Sequence, residues 1–151
     1  MSGSVALRPA QEHDLDALVR LEQEAFASDQ MERRAFRYAL RSPTISMLVA
    51  ANESGLLGYI HVQRRRNSRI THLTSVAVSR DATGKGLGRR LVEAAERDAQ
   101  NHGCDRMRLE VRADNKLARG LYEGLGYRLF TTVADYYEDG ATALRFEKAL
   151  A

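Results

Sequence analysis

Residues 73–92 read LTSVAVSRDATGKGLGRRLV, and the change of rhythm along them decides the fold. Ser75-Val76-Ala77-Val78 is β-prone, Gly84, Gly86 and Gly88 then fall at every second position, and from Leu87 the apolar spacing turns helical. The turn itself contains no acidic residue. Glycines permit positive φ and close approach by a ligand. A helix opening directly out of them presents unpaired N–H groups and the positive end of its dipole. The strand, turn and helix together make an anion cradle suited to phosphate, with Lys85, Arg89 and Arg90 adding cationic charge.

Two common phosphate motifs are excluded residue by residue. A dinucleotide fingerprint, G-x-G-x-x-G, needs glycine at position 89, where Arg89 stands; a P-loop needs glycine at position 79, which is Ser79, and has no third glycine after its lysine. What remains is Thr83-Gly84-Lys85-Gly86-Leu87-Gly88. It resembles the acetyl-CoA pyrophosphate loop of the GNAT superfamily of N-acetyltransferases. The stretch Leu109-Glu110-Val111-Arg112-Ala113-Asp114-Asn115, followed by Ala118-Arg119-Gly120-Leu121-Tyr122-Glu123-Gly124-Leu125-Gly126-Tyr127, resembles the second signature of that superfamily. The ending Tyr136-Tyr137-Glu138-Asp139-Gly140, then Ala143-Leu144-Arg145, is similar to the bacterial branch that acetylates ribosomal-protein N-termini. Two positions depart from the pattern: Thr83, where the superfamily usually has Arg or Gln, and Arg80, where a proline is common.

At 151 residues the chain suits one domain over 1–151 with one core. Its 44% hydrophobic and 28% charged residues read as globular. No apolar run is long enough to cross a bilayer, and no signal peptide is apparent, so a cytoplasmic protein is expected. The single Cys104 excludes an internal disulfide, suits a reducing compartment and reads as a small buried hydrophobe. A net charge of +3 biases the chain mildly toward anionic ligands, but no aromatic-basic interleaving argues for nucleic acid. The run Arg64-Arg65-Arg66 is a solvated turn, a contact to an acidic partner, or a contact to the CoA 3′-phosphate. His13, His61, His72 and His102 show no metal-ligand spacing, and no metal is expected; His72 is a surface or core histidine, or one that reaches the active site from its strand.

Val5 to Arg8 forms a first strand stopped by Pro9, and Asp14 caps a helix carrying Leu15, Leu18, Val19, Ala25 and Phe26. Asp29 and Glu32 resemble a capping box for a second helix, with Met31, Ala35, Phe36, Ala39 and Leu40 inward and Pro43 at its end. Ile45–Ala51 and Leu56–Val62 read as a hairpin around Asn52-Glu53-Ser54-Gly55, with a further strand near Ile70–Val78. The helix after the glycine loop places Leu87, Leu91, Ala94 and Ala95 on one face and ends near His102-Gly103. Met107–Val111 is the next strand; Asp114 or Asn115 caps a helix with Leu117, Leu121 and Leu125 on one side; Tyr127–Val133 and Ala141–Phe146 close as an antiparallel pair. The expected order is β-α-α-β-β-β-α-β-α-β-β, an α/β fold with a central mixed, mostly antiparallel sheet flanked by helices, as the resemblance also implies. Gly120 and Gly124 share a helical face, which marks either a weak helix or something passing close over that face.

The resemblance implies an acetyl-CoA-dependent N-acetyltransferase that transfers acetyl directly to an amine. It assigns the pantetheine arm to backbone groups of Val76, Ala77 and Val78, the pyrophosphate to Gly84, Lys85, Gly86, Leu87, Gly88 and Arg89, and a further cofactor contact to Asn115. Glu110 becomes the candidate general base, with burial expected to raise its pKa toward neutrality; the plain alternative is a strand-edge glutamate paired with Arg108 or Arg112. Tyr122 becomes the candidate general acid for the CoA thiolate, against the alternative of a core tyrosine. A free α-amine of pKa about 7.8 is roughly a tenth neutral at pH 7, whereas a lysine of pKa about 10.4 is neutral only about once in 2,500. That favours a peptide or protein N-terminus as acceptor, with a ribosomal protein first among them. A small amine, or a non-catalytic acyl-CoA-binding module, is the alternative. Tyr136-Tyr137-Glu138-Asp139 lines the acceptor mouth or is a polar hairpin turn.

Overall fold

A computed structural model describes residues 4–27 and 30–150. The elements follow the expected order: β1 (Ala6–Pro9), α1 (Leu15–Ala25), α2 (Arg33–Arg41), β2 (Ile45–Asn52), β3 (Gly55–Arg64), β4 (Ile70–Val78), α3 (Leu87–Asn101), β5 (Arg106–Arg112), α4 (Lys116–Gly124), β6 (Arg128–Val133) and β7 (Ala143–Ala149). The strands form one sheet in the order β1-β2-β3-β4-β5-β7-β6. Only β4 and β5 run parallel, because α3 carries the chain across between them; the remaining neighbours are antiparallel.

Strand alternation splits the core into two layers. On one face Leu87, Leu91, Val92, Ala95 and Ala99 of α3 pack on Ile60, Val62, Leu73, Leu109 and Phe146, joined by Tyr122 and Leu125 at α4. On the other, Leu18, Leu21, Phe36 and Ala39 of α1 and α2 cover Met47, Val49, Tyr59 and Ala77. Each large side chain so buried contributes about 1.5–3 kcal/mol. The seat of α3 depends on Gly58: a Cβ there would lie 2.8 Å from the Ala77 carbonyl oxygen and 3.1 Å from Leu91 Cδ1, so a side chain would displace the helix.

Several local expectations are corrected. Pro9 ends inside β1, pairing with Leu48 on the outermost strand, where a missing N–H costs the sheet nothing. Asp14 holds the cap position of α1 as expected but makes no side-chain cap bond to that helix; its buried carboxylate accepts from Arg8 at 2.8 and 3.0 Å and from the Gln11 N–H at 2.8 Å. The capping box expected at Asp29 lies outside the described residues, and α2 opens with Glu32 in the cap position. Ala35 is exposed, and Leu117 is 89% exposed because the first turn of α4 overhangs the core edge. A Cβ at Gly120 or Gly124 would meet nothing within 4 Å, so none of the described residues passes close over that face. Cys104 is free and buried as expected. Among the described residues no helix is long and apolar enough to cross a membrane.

Candidate active site

The parallel pair β4–β5 holds only from Ile70↔Arg106 to Leu73↔Leu109. At that point β4 carries an extra residue, since His61 pairs with Ser75 and Val62 with Leu73, leaving Thr74 between them. Such a bulge bends its strand and increases local twist. Beyond it β4 stays with β3 and β5 stays with β7, and a cleft of ≈ 750 Å³ opens between them. Backbone groups of both strands past Leu73 and Leu109 therefore lack a strand partner across the cleft, and buried backbone groups take one from solvent or ligand.

Val76, Glu110, Asn115 and Tyr122 all line this cleft. Ala77 and Val78 do not turn their side chains into it: Ala77 lies in the core layer under α1, and Val78 packs with the layer under α3. Any contact from these two comes through backbone. Asn115 is the N-cap of α4, its Oδ1 accepting from the Ala118 N–H at 3.0 Å, which settles the choice between Asp114 and Asn115.

The glycine loop leads directly into α3. Gly84 and Gly86 have φ of +83° and +76°, and a Cβ at either would meet nothing within 4 Å, so the space above them is open. The first helical bond runs from Arg90 N–H to the Gly86 carbonyl at 3.1 Å, leaving the amides of Leu87, Gly88 and Arg89 without an intrahelical acceptor. A Cβ at Gly88 would sit 3.7 Å from Leu121, so this cradle abuts α4 one residue before Tyr122. Lys85 is exposed, Arg89 lies 3.6 Å from Glu93, and Arg90 reaches the Val5 carbonyl instead of the loop. The two departures have local functions. Thr83 donates to the Ser79 carbonyl at 3.0 Å, and the Arg80 N–H, which a proline would lack, donates to Glu24 of α1 at 3.0 Å.

Glu110 does not pair with Arg108 or Arg112. Arg108 is held by Glu147 at 2.6 Å and lies over Phe130, while Arg112 grips Asp139 at 3.1 and 2.6 Å. Glu110 instead faces His72 Nε2 at 2.6 Å, the Tyr136 hydroxyl at 3.3 Å and Arg145 Nε at 3.3 Å. Burial pushes the Glu110 carboxyl up, but His72, Arg145 and the Tyr136 hydroxyl outweigh it and leave the group below its ordinary value. The expected rise toward neutrality is therefore corrected: these partners favour the charged form more than burial disfavours it. With Glu110 ionised, His72 donates its Nε2 hydrogen and turns Nδ1 toward Thr74 Oγ1 at 3.4 Å.

Tyr122 is buried, edge-on to Tyr127 at 5.6 Å, and burial followed by nearby Tyr137 pushes its phenol well up. Tyr136 reaches Glu110 and Tyr137 lines the cleft, so the segment before β7 belongs to the site. Sequence reasoning missed Glu22, which is buried in the cleft wall, accepts from the Tyr59 hydroxyl and takes the Met31 N–H at 2.5 Å. Burial raises its carboxyl, opposed by those two hydrogen bonds. The available signal was a charged residue on the inward face of α1 beside Leu18 and Leu21.

Two hollows adjoin the cleft. One, ≈ 650 Å³, runs under α2 and shares Met31 and Thr74 with it. The other, ≈ 450 Å³, shares Glu110 and is lined by Arg65, His72, Arg108, Tyr136 and Arg145. The basic run is thereby divided. Arg64 is packed against Ser46, the Pro43 carbonyl and Asp98 near the far end of α3; Arg65 lines the second hollow; Arg66 is exposed.

Comparison with known proteins agrees with this geometry. Residues 13–127 match the family described as acetyltransferase (GNAT). An uncharacterized N-acetyltransferase of Methanocaldococcus jannaschii is 32% identical over 139 residues, covering 91% of this chain and 87% of its own length. An N-alpha-acetyltransferase of Saccharolobus solfataricus is 26% identical, covering 95% of this chain and 92% of its own. The crystal structure of the ribosomal-protein-alanine N-acetyltransferase from Escherichia coli superposes with a TM-score of 0.88 at 25% identity, covering 98% of this chain and 95% of that one.

Proposed function

From the premise that this chain belongs to the acetyltransferase (GNAT) family, we propose that it moves the acetyl group of acetyl-CoA directly onto the α-amine of a peptide or protein N-terminus, a ribosomal protein being the first candidate. The observation that carries the reading is the cleft where β4 and β5 separate, with Glu110 on one wall, Tyr122 on another and the glycine cradle at the adjoining helix start. The residues present fit acetyl-CoA. The open backbone edge beyond Leu73 suits the amides of the pantetheine arm, and the unpaired amides of Leu87, Gly88 and Arg89 suit a diphosphate.

In this reading acetyl-CoA supplies the activated thioester and the chain supplies proton handling and placement. Glu110, acting with His72, takes the proton released as the amine nitrogen forms its bond to the acetyl carbon. The carboxylate at 2.6 Å orients the imidazole, whose Nδ1 faces Thr74 Oγ1 at 3.4 Å. Tyr122 gives its hydroxyl proton to the sulfur as the carbon–sulfur bond breaks; its raised pKa keeps it protonated until then. Val76 and Asn115 position the cofactor arm, with the backbones of Ala77 and Val78 continuing the same edge. Lys85 and Arg89 add charge near the phosphates.

The test is a library of N-terminal peptides incubated with acetyl-CoA, read by thiol release and by mass. Acetylation confined to the α-amine supports the proposal. Turnover of spermidine or free amino acids without any peptide turnover would replace it with a small-amine enzyme. CoA binding with no thiol release for any amine would reduce the chain to a binding module.

A further inference from the structure

The hollow beside Glu110 bears more positive charge than a site for an ammonium acceptor calls for. Arg65, Arg108 and Arg145 line it, against Glu110 as the one acidic lining residue. Arg108 is held by Glu147, its neighbour across the β5–β7 ladder, and Arg145 lies 3.3 Å from Glu110, which leaves Arg65 with its donors to spare. Arg145 Nε is buried and makes no hydrogen bond, so Arg145 adds charge to the hollow rather than an Nε donor that a ligand can reach. Arg65 has no ion-pair partner among the described residues. A planar guanidinium with open donors matches a carboxylate in a two-point contact. Because Glu110 borders both spaces, an acceptor whose amine meets the cofactor at Glu110 extends its next residues into this hollow.

We infer that the hollow selects peptide N-termini with an aspartate or glutamate directly after the first residue and rejects those with arginine or lysine there. This rests on the peptide reading above. The same charges do a second service, since guanidiniums near a bound ammonium disfavour its charged form and so increase the neutral fraction that can react. Acidic residues on the acceptor then hold the peptide in place while its amine is discharged.

The experiment uses three peptides that share an N-terminal alanine and differ only at the second and third residues: Glu-Glu, Gln-Gln or Arg-Arg. Their kcat/KM values are measured by thiol release at low ionic strength. The expected order is Glu-Glu, Gln-Gln, Arg-Arg, with steps of about tenfold, each about 1.4 kcal/mol. The steps should shrink in ~1 M salt, where the Debye length is about 3 Å. Arg65→Glu should narrow the span between acidic and basic peptides by about tenfold or more, and Arg65→Gln by less. Arg66→Glu, the same charge change one residue away on the exposed surface, should leave the span as it is. Equal rates for the three peptides, a preference for Arg-Arg, or equal effects of Arg65→Glu and Arg66→Glu would each overturn the inference while leaving N-terminal acetylation intact. No turnover of any of the three would remove the peptide reading, and the inference with it.

Discussion

Replacing Glu110 by glutamine probes the centre of the site in two independent ways. The carboxylate is 10% exposed and sits 3.3 Å from Arg145 Nε. Glutamine keeps the shape and an acceptor for His72, but it removes the counter-charge of Arg145 and can turn an N–H2 donor toward it. Coulomb's law puts such a pair at about 5 kcal/mol for an effective dielectric of 20 and about 1.3 kcal/mol in bulk water. The Arg145 side chain is 40% exposed, so screening holds the loss near the lower figure, about 1–2 kcal/mol. For a chain of this size that is a fall in Tm of roughly 2–8 °C. Loss of a general base should lower kcat/KM at pH 7 by about 10²–10⁴. An α-amine of pKa about 7.8 is about 14% neutral at pH 7 and about 94% neutral at pH 9. A variant restricted to neutral amine should therefore gain roughly sevenfold across that range, and the wild type less. The assay is thiol release against pH on one N-terminal peptide, beside a thermal melt. Parallel pH profiles, or a pH 7 rate within about twofold of wild type, would refute proton acceptance by Glu110, whatever the melt shows.

Tyr122→Phe should lower kcat by about 10²-fold or more while leaving the KM for acetyl-CoA and the melt nearly unchanged; an unaltered kcat would remove the hydroxyl from the chemistry. Glu22 carries a raised pKa, so its contribution to stability is greatest below its unfolded value of about 4.5 and declines as pH rises through the folded value. Glu22→Gln should therefore gain in Tm relative to wild type as pH is taken from about 4.5 upward; a pH-independent difference would contradict this. Glu110 has the opposite sign: its contribution is present above about 4.5 and lost as pH falls through its depressed value, a loss that Glu110→Gln should not show in acid melts. Gly120→Ala, on an exposed face with open space for a Cβ, should raise stability by about 1 kcal/mol and Tm by about 2–4 °C, with activity unchanged.

Much of this molecule is written in short-range patterns. The glycine turn between β4 and α3, the β2–β3 hairpin around Asn52–Gly55 and the Asn115 cap each depend on conformational preferences among a few neighbouring residues, which are present in the chain before it folds. Glu110 and Tyr122 come to notice through the resemblance of residues 109–127 to the second signature of the superfamily, a pattern carried by the sequence itself. What surrounds Glu110 was not legible in this way. His72 lies 38 residues from it, and only the parallel β4–β5 register brings the two within 2.6 Å. The bulge at Thr74, the parting of the strands beyond Leu73, the division of Arg64, Arg65 and Arg66 among three environments, and the downward shift of Glu110 all belong to the folded molecule. Sequence alone determined which elements form and where the glycine turn opens into α3, since those follow from local backbone geometry. Tertiary structure alone decided the charge state of the site, because the energy of an ionised group is set by distant residues that meet it only once the sheet is in register.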